Sequence, residues 1–328
     1  MNGLALRVPQ PGRVELQPFS DDSPWRDDLI EGPALASAIS PGTELAWAYS
    51  RQDPQQPPSG TGYAMVFRVA RAGLDSGFVA GETAFAMVGH QSVVRCSGRA
   101  AYRVPVGVDP VDAALARLAG VSWSTLTTTA ARPPARVAVS GLGIVGNLAA
   151  QLFAACGYQV LACDPVAGRR QHLVHHPVTL CERLPLGDPD WCDQTALVVE
   201  CSGHEAAVLD ACRLVRRGGE VVLVGVPWQR RTDVPAFDVL HAVFHRYVHL
   251  RSGWEWEVPT EPTDFRPGAI RTHIVTAMAW LASGRLSAAG IARRADPRDC
   301  DAVYRELAQR QGGALTAVFD WTRLAESR

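Results

Sequence analysis

The sequence contains no lysine, since all 32 basic side chains among its 328 residues are arginines. This absence excludes a Schiff-base lysine, a lysine general base and the lysine of a phosphate-binding P-loop. An excess of charge is also lacking, because 33 acidic residues balance the arginines and leave a formal net charge of −1. Without a positive excess to attract a polyanion, we expect no nucleic acid among the partners.

Close cysteine pairs and membrane-spanning runs are missing as well. The 8 cysteines form no C-x-x-C pair and no close cluster, which argues against a zinc ribbon or a redox dithiol. No apolar run is long enough to span a bilayer, and the first residues lack both regions of a signal peptide. We therefore expect a cytoplasmic protein with reduced cysteines and no membrane partner.

The composition is typical of a globular protein, with 47 % apolar and 20 % charged residues. The length exceeds what one compact core usually takes, so two domains are expected. Residues 1 to 105 are rich in glycine, proline and short β-type runs such as 62–69, which predict a small β domain with a surface loop at 51–60. From Pro110 the residues favour helix, so a boundary lies nearby.

The middle of the chain alternates between continuous apolar strands and helices. Strands are predicted at 136–140, 159–163, 196–200 and 220–224, and helices at 147–155 and 206–215, with a helix stop at Arg217-Gly218-Gly219. This alternation predicts an α/β fold with a doubly wound parallel sheet of the Rossmann type. The last part returns to helices at 270–283 and 300–310 and to a strand at 314–321.

A G-x-G-x-x-G motif lies between the first of these strands and the helix that follows it. Its residues are Gly141, Leu142, Gly143, Ile144, Val145 and Gly146. The first glycine permits a tight turn, the second lets the backbone approach a pyrophosphate, and the third allows close packing of helix on strand. Asp164 ends the next strand about 20 residues later, the spacing at which a carboxylate binds the adenine ribose hydroxyls.

This motif predicts a nicotinamide cofactor, and the carboxylate of Asp164 favours NAD because it would repel a 2′-phosphate. Arg169, with Arg170 beside it, keeps NADP open, since an arginine could meet that phosphate. Further cofactor contacts are expected where later strands end, at Cys201, Ser202, Gly225 and Val226. The alternative is a ligand-free tight turn with a solvated aspartate.

With these motifs in this order, the sequence resembles the medium-chain dehydrogenase/reductase superfamily of alcohol-dehydrogenase-like enzymes. Besides the glycine-rich motif, the resemblance rests on Val199-Glu200-Cys201-Ser202-Gly203, on 217–225 and on Ala282-Ser283-Gly284-Arg285-Leu286. It implies a GroES-like β-rich catalytic domain over 1–115 and 258–328, a Rossmann domain over 116–257, and an active site in the cleft between them. It also implies hydride transfer at an alcohol or carbonyl centre of a small-molecule substrate, and we expect a homodimer.

The departures from this resemblance concern zinc. Pro41, in Pro41-Gly42-Thr43-Glu44, stands where zinc members carry their first cysteine ligand, and Tyr63-Ala64 replaces the His-Glu pair. Arg117 lies near the third ligand position, and the four-cysteine structural zinc lobe is missing. Because tetrahedral zinc needs nitrogen and sulfur ligands, the chain resembles a zinc-independent branch that includes bacteriochlorophyllide-type dehydrogenases and enzymes of specialised metabolism.

Without a metal, a hydrogen-bond donor has to stabilise charge on the substrate oxygen. The resemblance implies a proton-relaying hydroxyl at Thr43 and places Tyr63 at a former ligand position, and a phenol can donate a proton. Glu44 is predicted to orient Thr43, and His90 is predicted to line the substrate cleft as an acid or base. The alternatives are that Thr43 only forms a turn, that Tyr63 is a buried aromatic, that Glu44 caps local N–H groups, and that His90 is structural.

The substrate and the reacting bond stay open at this point. Five aromatic residues stand at positions where the family borders its cleft and favour a small to mid-sized, aromatic or biosynthetic substrate, although large aromatics also build cores. They are Trp47, Tyr49, Trp123, Trp254 and Trp256. Reduction of a C=C or C=N bond is a second possibility, and a catalytically silent dinucleotide-binding protein is a third.

The residues at the former ligand positions give a first testable prediction. Because Pro41, Tyr63, Ala64 and Arg117 provide no tetrahedral ligand set, metal analysis of the purified protein should find no stoichiometric zinc. Chelators should leave activity unchanged. One tightly bound zinc per chain would show that the zinc-independent assignment is wrong.

Overall fold

The computed structural model describes residues 1–50, 60–310 and 313–324. The chain forms two compact units, here called the terminal unit and the central unit. The terminal unit comprises Met1–Arg117, Val275–Gly284 and Ala288–Arg328, and the central unit comprises Leu118–Ile274 and Arg285–Ser287. Residues 258–274, which the resemblance assigns to the β-rich domain, thus group with the central unit. The loop predicted at 51–60 lies outside the described residues except for Gly60.

The elements follow each other in three stretches of the chain. The first stretch holds β1 (Asn2–Gln10), β2 (Arg13–Ser20), β3 (Leu29–Ala38), α1 (Pro41–Glu44), β4 (Met65–Arg68), β5 (Arg71–Ala72), β6 (Thr83–Ala86), β7 (Val93–Ser97) and β8 (Ala101–Arg103). The middle holds α2 (Pro110–Thr128), β9 (Arg136–Ser140), α3 (Ile144–Ala155), β10 (Gln159–Cys163), α4 (Ala167–Gln171), β11 (Val178–Cys181), β12 (Thr195–Glu200), α5 (Glu205–Leu214), β13 (Val215–Leu223), α6 (Ala236–Arg246) and β14 (His249–Ser252). The last holds α7 (Ile270–Ala282), β15 (Ala292–Ala295), α8 (Cys300–Ala308) and β16 (Thr316–Asp320).

The central unit is built on a six-stranded parallel sheet with the strand order β11-β10-β9-β12-β13-β14. Alternate residues of β9 enter two separate cores, because Val137 and Val139 pack on one face and Ala138 on the other. The strand β12 does the same with Val199 and Val198. Both faces are thus covered, which confirms the predicted doubly wound sheet, and the strand order is that of dinucleotide-binding folds.

The terminal unit is rich in β-structure. The strands β1 and β2 form an antiparallel pair, and β3 lies at the centre of an eight-stranded sheet, where it pairs with β4, β5, β7 and β16. Because β16 comes from the far end of the chain, both ends of the sequence build one core. Fully buried aromatic rings from distant segments meet there, among them Phe67, Tyr304 and Phe319.

Several element boundaries differ from the sequence prediction. The strand expected over 62–69 is limited to β4, and α3 begins three residues earlier than predicted, directly after Gly143. Arg217-Gly218-Gly219 lies inside β13 rather than at a helix stop, because α5 already ends at Leu214 and Val215 is extended. Among the described residues, no helix is long and apolar enough to cross a membrane.

Candidate functional site

The glycine-rich turn between β9 and α3 is closed on the strand side and open at its middle glycine. Gly141 has a φ of +87°, and a Cβ there would lie 2.8 Å from the Ser202 nitrogen. A Cβ on Gly146 would lie 1.8 Å from the Gly141 oxygen, so helix and turn pack as closely as only glycine permits. A Cβ on Gly143 would meet no atom of the described residues within 4 Å. The turn therefore leaves space for a ligand at Gly143, at the N-terminus of α3.

The turns that follow β9, β12 and β13 lie against one another at the carboxyl edge of the sheet. The Cys201 N–H donates to the Ser140 carbonyl at 2.7 Å, and a Cβ on Gly225 would be 2.3 Å from the Gly203 nitrogen. A Cβ on Gly203 would be 2.6 Å from the Val226 oxygen. The residues predicted at the later strand ends are thus brought together with the glycine-rich turn.

Glu200 and Asp164 hold this edge of the sheet together. Glu200 is not among the site residues predicted from the sequence. Glu200 is fully buried and accepts hydrogen bonds from the Ser202 and Gly203 N–H groups at 2.9 and 3.0 Å, and from the Ser202 hydroxyl. Burial raises the pKa of this carboxyl above its usual value. The sequence feature that could have identified Glu200 is an acidic residue at the end of an otherwise apolar strand.

Asp164 is 2 % exposed, so the alternative of a solvated aspartate is wrong. Its Oδ2 accepts from the Leu142 N–H at 2.9 Å and from Arg169 at 3.2 Å, and its Oδ1 accepts from the Val166 N–H at 2.9 Å. Arg170 donates to the backbone carbonyl of Asp164. A carboxylate accepts about four hydrogen bonds, so a ribose diol could bind both oxygens only if Arg169 moves.

A second polar centre lies in the terminal unit around the Tyr63 phenol. The Arg117 guanidinium carbon is 5.0 Å from the centroid of the Tyr63 ring, and Arg117 is only 4 % exposed. Burial raises the pKa of Tyr63, while the charge of Arg117 and hydrogen bonds with the Ser40 and Thr43 side chains oppose this rise. Tyr63 and Thr43 themselves are half-buried and therefore accessible to a ligand.

This arrangement brings together positions that the resemblance identified separately. The three positions that the resemblance matches to zinc ligands come from three elements: Pro41 from the start of α1, Tyr63 from the segment before β4, and Arg117 from the helix α2. From the sequence, Arg117 is recognisable only as a replaced ligand, because its position beside the phenol depends on tertiary contacts. Among the residues that the structure describes, no group of three or more His, Cys, Asp or Glu side chains is placed to hold a metal ion.

Glu44 does not point at the relay position but lies in the interior, 1 % exposed. Its carboxylate accepts instead from the Ser40 N–H at 2.7 Å, from the Thr61 hydroxyl at 2.6 Å, and from His90 and Tyr304. Burial would raise the pKa of Glu44, but the attraction of His90 and the three side-chain hydrogen bonds outweigh it and lower the pKa. Glu44 can therefore orient Thr43 only indirectly, by fixing the conformation of α1.

His90 also lies inside the terminal unit rather than at a surface. It is 1 % exposed, its Nε2 is 3.0 Å from Glu44, its Nδ1 is 2.7 Å from the Ser37 hydroxyl, and its ring packs edge-on against Phe319. Trp321 donates its indole N–H to the same hydroxyl at 2.8 Å. Since both ring nitrogens are engaged, the predicted direct role as acid or base does not fit, and His90 holds Glu44 in place.

The five aromatic residues predicted near a substrate are divided between core and surface. Tyr49 and Trp123 are buried, and the ring of Tyr49 packs 5.9 Å from that of Tyr304. Trp47 is half-buried against the same core, whereas Trp254 and Trp256 are 70 % and 48 % exposed. The core alternative thus holds for Tyr49 and Trp123.

The buried network predicts a pH-dependent stability. Glu44→Gln should lower the free energy of unfolding by about 2 kcal/mol or more at pH 7, because His90 and two hydroxyls lose a charged acceptor. The pKa of Glu44 is lower in the folded protein than in the unfolded chain, where it is about 4.3. The stabilisation by the Glu44 carboxylate is therefore complete above the unfolded pKa and is lost as the pH falls through the folded pKa. Urea unfolding between pH 7 and about pH 3 measures the difference from wild type.

The exposed Glu182, which is paired with Arg183, provides the matched control, and Glu182→Gln should change stability little. The difference in unfolding free energy between wild type and Glu44→Gln should stay constant down to about pH 5 and narrow as the pH falls below about 4.3. A difference that widens on acidification would contradict the arrangement described for this carboxylate.

Comparison with known proteins finds similarity to dehydrogenases over parts of the sequence and in the fold. No protein-family model matches the sequence. L-galactonate-5-dehydrogenase of Escherichia coli (strain K12) is 33 % identical over 132 residues, which are 37 % of the chain and 37 % of that protein. The chain thus matches well under half the length of this relative.

Two solved structures are similar over nearly the whole chain. Acetophenone reductase from Geotrichum candidum NBRC 4597, in complex with NAD, has a TM-score of 0.78 at 15 % identity and 97 % coverage of both chains. A candidate zinc-binding dehydrogenase from Sinorhizobium meliloti 1021, bound to NADP, has a TM-score of 0.78 at 18 % identity, covering 98 % of this chain and 99 % of that one. The predicted fold class is confirmed: the chain has the α/β fold of these two structures, with a Rossmann and a GroES-like domain.

Proposed function

We propose that the chain is an NAD(P)(H)-dependent oxidoreductase that interconverts an alcohol and a carbonyl compound without zinc. The observation that carries the proposal is that the Thr43 hydroxyl and the charge of Arg117 lie around the Tyr63 phenol. Tyr63 and Arg117 stand at two of the positions that the resemblance matches to zinc ligands, and Thr43 stands at the position of its relay hydroxyl. A phenol, a hydroxyl and a buried cation together can do what a metal does in zinc members, which is to stabilise charge on the reacting oxygen.

The central unit fits a nicotinamide cofactor on structural grounds. The backbone is open at Gly143, the N-terminus of α3 begins at the next residue, and a buried carboxylate lies at the end of β10. The pyrophosphate would be held by the turn and the helix N-terminus, and the adenine ribose by Asp164. When bound, the cofactor would supply or accept a hydride.

The terminal unit would supply the proton and the charge stabilisation. Reduction of a carbonyl places negative charge on its oxygen, and the Tyr63 hydroxyl can donate a proton to that oxygen. Burial keeps the phenol protonated by raising its pKa, while Arg117 and the hydroxyls of Ser40 and Thr43 stabilise the phenolate that forms. In the oxidation of an alcohol, the same groups take the proton back.

The buried carboxylate Glu44 would act as a positioning residue in this scheme. It fixes the Ser40 backbone N–H and the Thr61 hydroxyl, and these residues lie next to α1 and Tyr63 in the chain. Because the network is buried, the donors can be held in place without the reorganisation that solvent would require.

The finer expectations remain predictions. They include a homodimer, a cytoplasmic location, and a small to mid-sized, aromatic or biosynthetic substrate of the kind used by the zinc-independent branch. The preference for NAD over NADP rests on Asp164, and Arg169 beside it could lessen that preference.

The cluster predicts which hydroxyls turnover needs. Tyr63→Phe keeps the ring over Arg117 and removes only the hydroxyl, and Thr43→Val removes the second donor. At least one of the two should lower kcat about 10²-fold, because a donor to the developing oxyanion is lost. NADH affinity, measured by fluorescence titration, should stay within a few-fold of wild type. Normal turnover in both variants would show that the proton comes from elsewhere.

The carboxylate at the end of β10 predicts the cofactor preference. Asp164→Ala should weaken NADH binding about tenfold, because the acceptor for the ribose hydroxyls is removed. The ratio of NADPH affinity to NADH affinity should rise, because the repulsion of a 2′-phosphate is removed as well. The exposed Asp190 is the control, and Asp190→Ala should bind both cofactors as wild type does. Tighter binding of NADPH by the wild type would show that Arg169 outweighs Asp164.

A further inference from the structure

Two cysteines lie opposite each other at the carboxyl ends of neighbouring parallel strands. Cys163 is the last residue of β10, Cys181 is the last residue of β11, and the two are directly paired in the strand register. Paired residues on adjacent strands point to the same face at a strand separation of about 4.8 Å. This separation lies within the range that a disulfide bridges, about 4.4–6.8 Å between Cα atoms.

The two thiols already interact, and they differ in accessibility and acidity. Cys163 is buried, and its interaction with the neighbouring Cys181 thiol, together with burial, raises the pKa of Cys163. The same interaction lowers the pKa of Cys181, and the nearby charge of Arg170 acts in the same direction against burial. Cys181 is half-buried and can be reached by a small molecule.

This acidity sets Cys181 apart from other cysteines of the chain. Burial raises the thiol pKa of a further set of cysteines: Cys96, Cys156, Cys201, Cys212 and Cys300. A thiolate, not a thiol, attacks an oxidant, so Cys181 is the favoured nucleophile and Cys163 is the thiol beside it.

The pair is connected to the candidate cofactor site through the backbone. The Cys163 carbonyl accepts the Gly141 N–H at 2.8 Å, and Asp164 is the residue after Cys163. The Asp164 N–H donates to the Cys181 carbonyl at 3.3 Å, and Arg170 donates to the Asp164 carbonyl. A bond between the two sulfurs that moves the backbone of Cys163 and Cys181 therefore also moves Gly141 and Asp164.

We propose that Cys163 and Cys181 form a peroxide-sensitive dithiol, and that its oxidation to a disulfide weakens nucleotide binding by the central unit. The disulfide itself is independent of the proposed function, whereas its effect on binding rests on that function.

The chemistry needs a hydroperoxide as oxidant and proceeds in two steps. The Cys181 thiolate attacks the peroxide, the O–O bond breaks, and a sulfenic acid and an alcohol (water when the oxidant is hydrogen peroxide) are formed after uptake of one proton. The Cys163 sulfur then attacks the sulfenic sulfur, which forms the S–S bond and releases water. The two thiols lose two electrons in total, and the peroxide gains them.

The geometry gives the direction of the effect on binding. Disulfide-bonded cysteines most often have Cα atoms about 5.5–6 Å apart, more than the spacing of about 4.8 Å between adjacent strands, so the S–S bond favours a wider separation of the ends of β10 and β11. This change acts on the backbone that holds Gly141 and Asp164, so we expect the dissociation constant of NADH to rise roughly fivefold.

The test treats the full-length protein with hydrogen peroxide and removes the excess. Intact mass should fall by two hydrogens per chain, peptide mapping should find Cys163 linked to Cys181, and dithiothreitol should reverse both changes. A fluorescence titration with NADH before and after oxidation then measures binding. Cys181→Ser and Cys163→Ser should each abolish the link and the loss of affinity, and Cys192→Ser, in the same unit, should retain both.

Each result decides one part of the proposal. Cys163 and Cys181 that remain open to thiol labelling after treatment would overturn the dithiol. A disulfide that leaves the NADH affinity unchanged would overturn its coupling to the site. Failure of the reduced protein to bind NADH, with the disulfide still formed, would overturn the coupling and the proposed function and leave the dithiol standing.

Discussion

The terminal unit depends on one buried charge, the carboxylate of Glu44. Removing a carboxylate from water is costly unless hydrogen bonds replace its hydration. Glu44 meets this requirement with four donors from segments that are far apart in the chain, one of them 260 residues away on Tyr304. The polar centre around Tyr63 is built on the segments that these hydrogen bonds tie together.

The central unit uses the same principle at the edge of its sheet. Glu200 and Asp164 are buried carboxylates whose acceptors are filled mainly by backbone N–H groups of the turns around the glycine-rich motif. A buried group that accepts hydrogen bonds from a turn restricts its backbone, so each carboxylate shapes the surface offered to a ligand. The opening at Gly143 is thus set by the hydrogen bonds that hold the surrounding turns and not by Gly143 alone.

Local pattern in the sequence was enough for much of the fold. The strands 136–140 and 159–163 were predicted with their observed bounds, because continuous apolar runs between glycine-rich turns leave few alternatives. The partners of buried polar groups were not predictable in this way. The hydrogen bond between Glu44 and Tyr304, and the register that pairs Cys163 with Cys181, depend on tertiary contacts that residue spacing does not encode.

The central claim is that side chains at the former ligand positions replace a metal. The most direct measurement follows deuteride from labelled NADH to a panel of carbonyl compounds, using chelator-treated wild type, Arg117→Gln and Arg117→Lys. The account predicts deuterium on the alcohol carbon for the wild type without added metal, a loss of about 10²-fold in Arg117→Gln with nearly unchanged NADH affinity, and partial recovery in Arg117→Lys. Label transfer that requires added zinc, or that is unaffected in Arg117→Gln, would contradict it.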